Sequence, residues 1–519
     1  MKIFLSGYNL DIETLSELRH FVQQVYSLLS PDFRESKSEP ERATVLDQLY
    51  ERAKELVLRE NLTPETLSAA YARISRSPKP VNELREIARK EVDRARKSNQ
   101  NIIFGLGHSS VAEHAVFNFD VIDVSRLAVE FIEHFRLASF TEKSQRYVLF
   151  RDEFVTPAEL ESTDLRQEYQ SVVKSLFSAY HQLYKKLRPY VFEKYAHLAS
   201  ERKNHSMLEG LAKEDARYIT PLATSTQLGM TLNARSLERM ISKGAAHPLQ
   251  EVRQFARTLY QASAHYAPSL IKYTEPTKYL LNKEEKLHRL LNVFTAPEIS
   301  EEPAEEVRLL QVTPDADQHL LTTLFFRYTS LSFHRAQQMA KRLTPEDKKR
   351  VFREVFRHIN PWDAVLREFE TVQMTFELVV SASSYAQFKR HRMATIIPQN
   401  YNLSLGTTIP PAIREVGMEA FFLEHIEQAE KLYRKLQQFN PVIAPYILTN
   451  AHRRRILFQL NLREFYHFLR LREDEHAQWD IRQTAEQMHR TVSRHLPLTG
   501  ALLAGKHRFV ESYRKFFQS

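Results

Sequence analysis

The sequence predicts a helix-rich α/β chain built from two tandem repeats. Three observations predict it: 10 glycines in 519 residues, strand-like stretches that each lead into a helix, and two phrases that recur in the same order. So few glycines leave little room for Gly-rich phosphate loops or many tight turns. There is no G-x-G-x-x-G and no P-loop, so a nucleotide would have to be held another way.

The first 100 residues read mostly as helices. "TPETLSAAYARI" opens on a capping pattern, and "VNELREIARKEVDRARK" has apolar residues at helical spacing with charges opposite. "HAVFNFDVIDV" (114–124) alternates and is rich in Val and Phe, so it reads as a strand. "SRLAVEFIEHFRLAS" returns to helical spacing, and a long amphipathic helix is expected around 163–190. Residues 274–306 end in an acidic stretch with Pro297 and Pro303, which is linker composition. The chain then restarts, with "REFETVQMTFELVV" (367–380) strand-like and again followed by a helix and a basic triplet. The expected organisation is a first repeat at 1–275 with a helical N-terminal extension, a linker at 276–306 and a second repeat at 307–519.

The repeats announce themselves twice. "VEFIEHFRLASFTEKSQRYV" (129–148) has the cadence of "YAQFKRHRMATIIPQNYN" (385–402), and "MTLNARSLERMISKGAAHPLQEVRQFA" that of "FQLNLREFYHFLRLREDEHAQWDIRQTA". Anchored on Ser139 and Thr395 the copies lie 256 residues apart; anchored on Asn233 and Asn461 they lie 228 apart. The second copy has a shorter middle, but its landmarks keep their order, as in a diverged tandem duplication.

Composition narrows the chemistry. There are 73 Lys+Arg against 64 Asp+Glu, a net charge of +9, and a pI near 9.3. A basic surface attracts nucleotides, polyglutamylated cofactors, RNA or anionic lipid without choosing among them. Cysteine is absent, which excludes disulfides, zinc-thiolate sites and a thiolate nucleophile. No apolar run approaches a membrane span, "MKIFLSGYNL" lacks a signal-peptide core, and cytoplasm is the simplest home.

Arg390, His391 and Arg392 taken alone would be a solvated basic face. Gln387 lies three residues before Arg390, and both can share a helix face. Asn461 and Arg463 precede Arg472 by about three and two and a half turns. His476 lies four residues beyond Arg472, at a spacing that shares a face. Planar donors grouped in this way bind phosphates and flat heterocycles. By contrast "HRRR" (452–455) reads as a solvated basic face or an anion-steering patch, and Trp479 as a core residue.

These phrases resemble the flavin-dependent thymidylate synthases. That family carries RHR followed by S-x-x-E-x-S-x-R-Y, then N-A-R-S-L and L-R-x-D-x-H-A-Q-W-E. Upstream it has G-H-x-S-V-x-E-H, here "GHSSVAEH" (107–114), and A-R-x-x-x-P, here "ARYITP" (216–221). The resemblance covers roughly 60–260 and 305–500. It implies an α/β fold, a tetramer, FAD, and transfer of the methylene of methylenetetrahydrofolate to C5 of dUMP, with NADPH as reductant and active sites shared between subunits.

On that resemblance each repeat has lost what the other keeps. The first retains Glu142, Ser144, Arg146 and Arg217. In it Phe131, His134 and Phe135 stand for Gln, Arg and His, and Lys243 or Gly244 for the late Arg. The second retains Gln387, Arg390, His391, Arg392, Asn461, Arg463, Arg472 and His476. It has Pro398, Asn400 and Asn402 in place of Glu, Ser and Arg, and Pro445 in place of the A-R arginine. One composite site is complete and the reciprocal one is dead.

The roles the resemblance implies are these. Glu142, Ser144, Arg146, Arg217, Gln387 and Arg390 bind dUMP. Arg390, His391, Arg392, Asn461, Arg463 and His476 hold FAD. Arg472 is catalytic, drawing electrons into the uracil from its N3/O4 edge, so no enzyme nucleophile is needed. A homodimer would stand for the family tetramer. The rivals are a flavoenzyme acting on another pyrimidine nucleotide or on RNA, and a nucleotide-binding paralogue without turnover. Glu113 and Glu370 both match the family's E-H glutamate, Glu370 only with a one-residue gap.

Overall fold

A computed structural model describes residues 1–28, 38–58, 62–281, 283–294 and 305–518. Pro297 and Pro303 of the expected linker lie outside the described residues. The chain packs into two compact units. The first comprises Met1–Lys143, Pro157–Glu159 and Ser225–Phe294; the second comprises Ser144–Thr156, Leu160–Thr224 and Thr295–Ser519. Most of 144–224, from the middle of the first repeat, therefore packs in the unit that holds the second repeat.

Each unit is built on a four-stranded antiparallel sheet. In the first, β1 (Lys2–Tyr8), β2 (Val116–Ser125), β3 (Ala138–Glu142) and β4 (Ser225–Asn233) run in the order β1-β2-β4-β3. In the second, β5 (Val307–Val312), β6 (Gln373–Ser381), β7 (Thr395–Pro398) and β8 (Arg453–Asn461) run β5-β6-β8-β7. The order is the same, strand for strand, as a duplicated unit requires. β2 buries Phe117, Phe119 and Val121, and β8 buries Ile456, Phe458 and Leu460, the period of two that puts one face on a core.

The same capping device recurs at corresponding places. Ser125 and Ser381 cap the helices Arg126–Ile132 and Ala382–Phe388, each accepting from the backbone N–H three residues on. Asn233 and Asn461 do the same for Ala234–Ala245 and Leu462–Arg472. The expected helix near 163–190 runs Leu165–Lys194 and packs on Glu419–Phe439 within the second unit.

The described part of the first hundred residues is mostly helical, as expected, and adds a strand, β1, whose partner β2 lies more than 100 residues away and leaves no local trace. Two expectations need correction. The helix expected across "VNELREIARKEVDRARK" breaks at Glu91, which leaves helical geometry with φ −125° and ψ 60°. The "HRRR" run is not a solvated face: it opens β8, and strand alternation turns Arg454 inward, where its guanidinium lies 4.7 Å from the Tyr385 ring and 4.3 Å from that of Tyr401. His452 is buried as well.

Candidate active site

The second unit brings residues of both repeats together. Segments 218–223 and 446–451 run antiparallel and bridge at Pro221 and Thr449. Leu222 N–H donates to the Leu448 carbonyl at 2.7 Å and Asn450 N–H to that of Thr220 at 3.0 Å; Ala223 donates to Tyr446 at 2.8 Å and Ala451 to Tyr218 at 2.9 Å. Shifted by the 228 residues of the repeat, each bond maps onto its partner. The bridge is two-fold symmetric, with Pro221 and Thr449 on its axis.

Side chains around this bridge tie the dUMP segment to the second repeat. The Asn450 amide donates to Gln145 Oε1 (3.3 Å), the Arg217 carbonyl (3.1 Å) and Thr220 Oγ1 (2.9 Å). Gln145 stands between Ser144 and Arg146, so Asn450 fixes that loop to the one-turn helix carrying buried Arg217. A second chain of bonds starts at Gln387, which donates to Gln478 at 3.2 Å. Gln478 donates to the Tyr218 hydroxyl at 2.8 Å, and Tyr218 to Asp480 at 2.8 Å, where Ser381 also donates at 2.5 Å. With two hydroxyl donors the buried Asp480 carboxylate is satisfied. Neither Asn450, Tyr218, Gln478 nor Asp480 was singled out from sequence. The signal available for Asp480 was the matched pairs Ser125 with Glu251 and Ser381 with Asp480 in the two repeats; in the structure Glu251 accepts from Ser125 as Asp480 does from Ser381.

The cationic groups converge. Arg472 ends its helix, and its Nε–H donates to His391 Nε2 at 3.0 Å. Burial, followed by the charges of Arg390 and Arg146, pushes the Arg472 guanidinium down to about 10. One arginine from the first repeat and one from the second thus act on Arg472 inside one unit. Arg146 forms an ion pair with buried Glu214 through Nε, and its backbone N–H bonds the Ser144 hydroxyl at 3.2 Å. Burial raises Glu214, and the charges of Arg146 and Arg217 oppose that rise.

Other candidates have structural partners. His391 is buried between Arg472 and Glu464, 3.0 Å from each. Asn461 spends its Oδ1 on the helix cap at Glu464 N–H, 2.8 Å. Arg463 pairs with Glu370 at 2.8 Å and bonds the Val365 carbonyl at 3.0 Å. Arg235 pairs with Glu113 at 2.5 Å in the first unit, so Glu113 and Glu370 are equivalents despite the gap. His476 is 84% exposed at its side chain, in the turn before the helix Trp479–Ser493. Arg390 and Arg392 are exposed. Glu142 belongs to the first unit, its carboxylate held by the buried Arg126 guanidinium. Trp479, expected in the core, is half-buried; it stacks on Tyr218 at 5.6 Å and donates to Asp215 at 2.7 Å.

In the first unit, aromatic rings occupy the positions that are polar in the second. Phe131 meets Phe135 at 5.4 Å and His247 at 5.0 Å, and the Lys243 ammonium lies 5.9 Å from the Phe135 ring. Among the described residues no group of acidic and histidine side chains could hold a metal, and no helix is long and apolar enough to cross a membrane.

The sequence profile described as "Thymidylate synthase complementing protein" matches residues 56–269 and again 308–498. A UPF0159 protein of Thermoplasma acidophilum is 24% identical over 489 residues, covering 86% of this chain and 95% of its own. A flavin-dependent thymidylate synthase of Clostridium tetani is 30% identical over 217 residues, 41% of this chain and 83% of its own. A crystal structure of the flavin-dependent thymidylate synthase of Helicobacter pylori, complexed with FAD and dUMP, aligns with 53% of this chain and 100% of its own at 15% identity and a TM-score of 0.28.

Proposed function

The chain belongs to the thymidylate synthase complementing protein family, the flavin-dependent thymidylate synthases, as a fused two-repeat member, and from that premise we propose that it carries out the reductive methylation of dUMP to dTMP at one hybrid site in its second unit. The observation that carries this reading is that Asn450 of the second repeat bonds Gln145 and the Arg217 carbonyl, which holds the Ser144–Arg146 loop of the first repeat in the same compact unit as Arg390 and Arg472. The charges of Arg146 and Arg390 both act on the Arg472 guanidinium, and an anion bound among them would relieve that repulsion.

In this reading Ser144, Arg146, Arg217 and Arg390 take the phosphate of dUMP, with Gln387 beside them. Glu214 anchors Arg146 through Nε, which leaves the two Nη groups to face a ligand. Arg472 is likewise anchored through Nε and presents its Nη groups to the uracil. There its charge stabilises the electron-rich ring that attacks from C5. Binding and orientation are the protein's work, and no side-chain nucleophile is required.

The donor set fits FAD in part. Arg390 and Arg392 offer exposed guanidinium groups to a diphosphate, and His476 an exposed imidazole. His391, Asn461 and Arg463 are committed to Arg472, a helix cap and Glu370, so they shape the site from behind. When bound, FAD supplies the hydride chemistry. NADPH and methylenetetrahydrofolate are the proposed co-substrates, a homodimer the proposed assembly and cytoplasm the proposed location.

Tritium release from [5-³H]dUMP by FAD-loaded protein, with methylenetetrahydrofolate and NADPH, tests the reading. Release that depends on all three supports it. A protein that binds flavin but releases no tritium either acts on something other than dUMP or does not turn over, and one that binds neither flavin nor dUMP is not this enzyme.

A further inference from the structure

Arg472 does not stand alone in its helix. Its Nε–H points at His391 Nε2 across 3.0 Å, so that nitrogen is the acceptor. The other ring nitrogen, Nδ1, then carries the proton and donates it to Glu464 Oε1, also at 3.0 Å. Glu464 is itself fixed, because its backbone N–H caps onto Asn461 at 2.8 Å at the end of β8. The groups facing the imidazole are Arg472, Glu464, His467 with ring centres 5.8 Å apart, and Phe468 at 4.9 Å. The first repeat has Ser236 where Glu464 stands and Phe135 where His391 stands, so it lacks both members.

Resting on the dUMP reading above, we propose that His391 and Glu464 are positioning residues that act through Arg472. Glu464 selects the Nδ1–H tautomer, and the bare Nε2 lone pair then holds the Arg472 guanidinium by its Nε edge, aiming its outer nitrogens at the substrate ring. A protonated imidazole would turn an N–H against the guanidinium and break the anchor. Burial and the charges of Arg472 and His467 hold the imidazole well below its ordinary range, so the ring stays neutral. Glu464 sits buried next to that neutral ring, and burial raises its carboxyl.

The side-chain geometries make a sharp test. Gln at 391 can set an amide oxygen where Nε2 stands, whereas Asn reaches only the place of Nδ1. His391→Gln is expected to keep kcat for tritium release within about fivefold of wild type. His391→Asn and Glu464→Ser, the latter installing the first repeat's residue, are expected to lose about 100-fold, the scale of a misplaced catalytic group. The dissociation constant for dUMP should change less than threefold in all three, since the phosphate contacts are untouched. Equal losses in the Gln and Asn variants, or a Glu464→Ser chain as fast as wild type, would overturn the proposal.

A readout independent of activity accompanies this. In ¹⁵N-histidine spectra the resonance lost in His391→Gln should report an unprotonated Nε2 at pH 6, where an ordinary imidazole of pKa about 6.5 is mostly protonated, and Glu464→Ser should mix the tautomers. A ring already protonated at pH 6 overturns the relay. The expected tautomer in a chain that neither binds dUMP nor releases tritium would instead overturn the functional reading and leave the anchor in place.

Discussion

Gly244 packs so closely on Ala256 that a β-carbon added at the glycine would lie 2.8 Å from the alanine methyl and 3.5 Å from the Phe131 ring. Gly244 and its neighbour Lys243 are the two positions that can align with Arg472. One therefore has no room for a side chain, and the other lays its ammonium over Phe135.

From this contact the first repeat is expected to hold no flavin in its own RHR region. Saturated, desalted protein should carry one FAD per chain by absorbance, and two tightly bound flavins would contradict this. Lys243→Ala should leave turnover unchanged, and Gly244→Arg should lower the melting temperature without creating activity, because overpacking a close helix contact costs about 1–3 kcal/mol.

Arg146→Ala and Arg472→Ala should each abolish methyl transfer, a loss of about 2–4 kcal/mol of transition-state stabilisation. Both residues belong to the same compact unit of one chain. Mixing and co-refolding the two mutant chains should therefore restore nothing, since every site keeps one lesion. Recovery of a quarter of wild-type activity would mean that the site is completed by a second chain.

Asp215 gives a pH signature. Burial and the charge of Glu214 raise it from its ordinary 3.8 to about 7 while Trp479 donates to it. A carboxyl whose pKa is raised in the folded state stabilises the fold while protonated, and that contribution is lost as pH rises. Stability should thus fall between about pH 4 and pH 7, by at most about 1.4 kcal/mol per unit for one group. In a Trp362→Phe background Trp479 is the sole tryptophan, and its emission should titrate near pH 7. A signal flat from pH 5 to 8.5, or one unchanged by Asp215→Asn, would contradict the assignment.

The repeats were legible because caps and strand starts are local. Ser125 with Ser381 and Asn233 with Asn461 mark helix starts whose chemistry lies within three residues. β1 was not legible, since a short strand is decided by a distant partner. Nor were Asn450 and Tyr218, whose roles depend on a bridge between segments some 230 residues apart. Arg454 was misread because a run of basic residues looks solvated until strand alternation and two tyrosine rings turn one of them inward. Asn461 served as a repeat landmark and Arg463 as a cofactor-binding candidate, yet a motif cannot show that their side chains are already committed to a cap and an ion pair.

The last prediction concerns the division of labour between the repeats. Residues 307–519 hold β5 to β8 and Asp480, but Tyr218, one of the two hydroxyl donors to that buried carboxylate, lies in the first repeat. So do Thr220, Leu222 and Ala223, which pair with 446–451. Expressed alone, residues 307–519 should leave those backbone groups unpaired and Asp480 short of a donor, at about 1–3 kcal/mol for each buried polar group stranded. The fragment should be insoluble or melt well below the full chain, and should release no tritium from dUMP. Co-expression with residues 1–294 should restore a soluble complex and its activity, because 144–224 then supplies both the bridge and Arg146. A 307–519 fragment that is folded and active by itself would show that the second repeat needs nothing from the first.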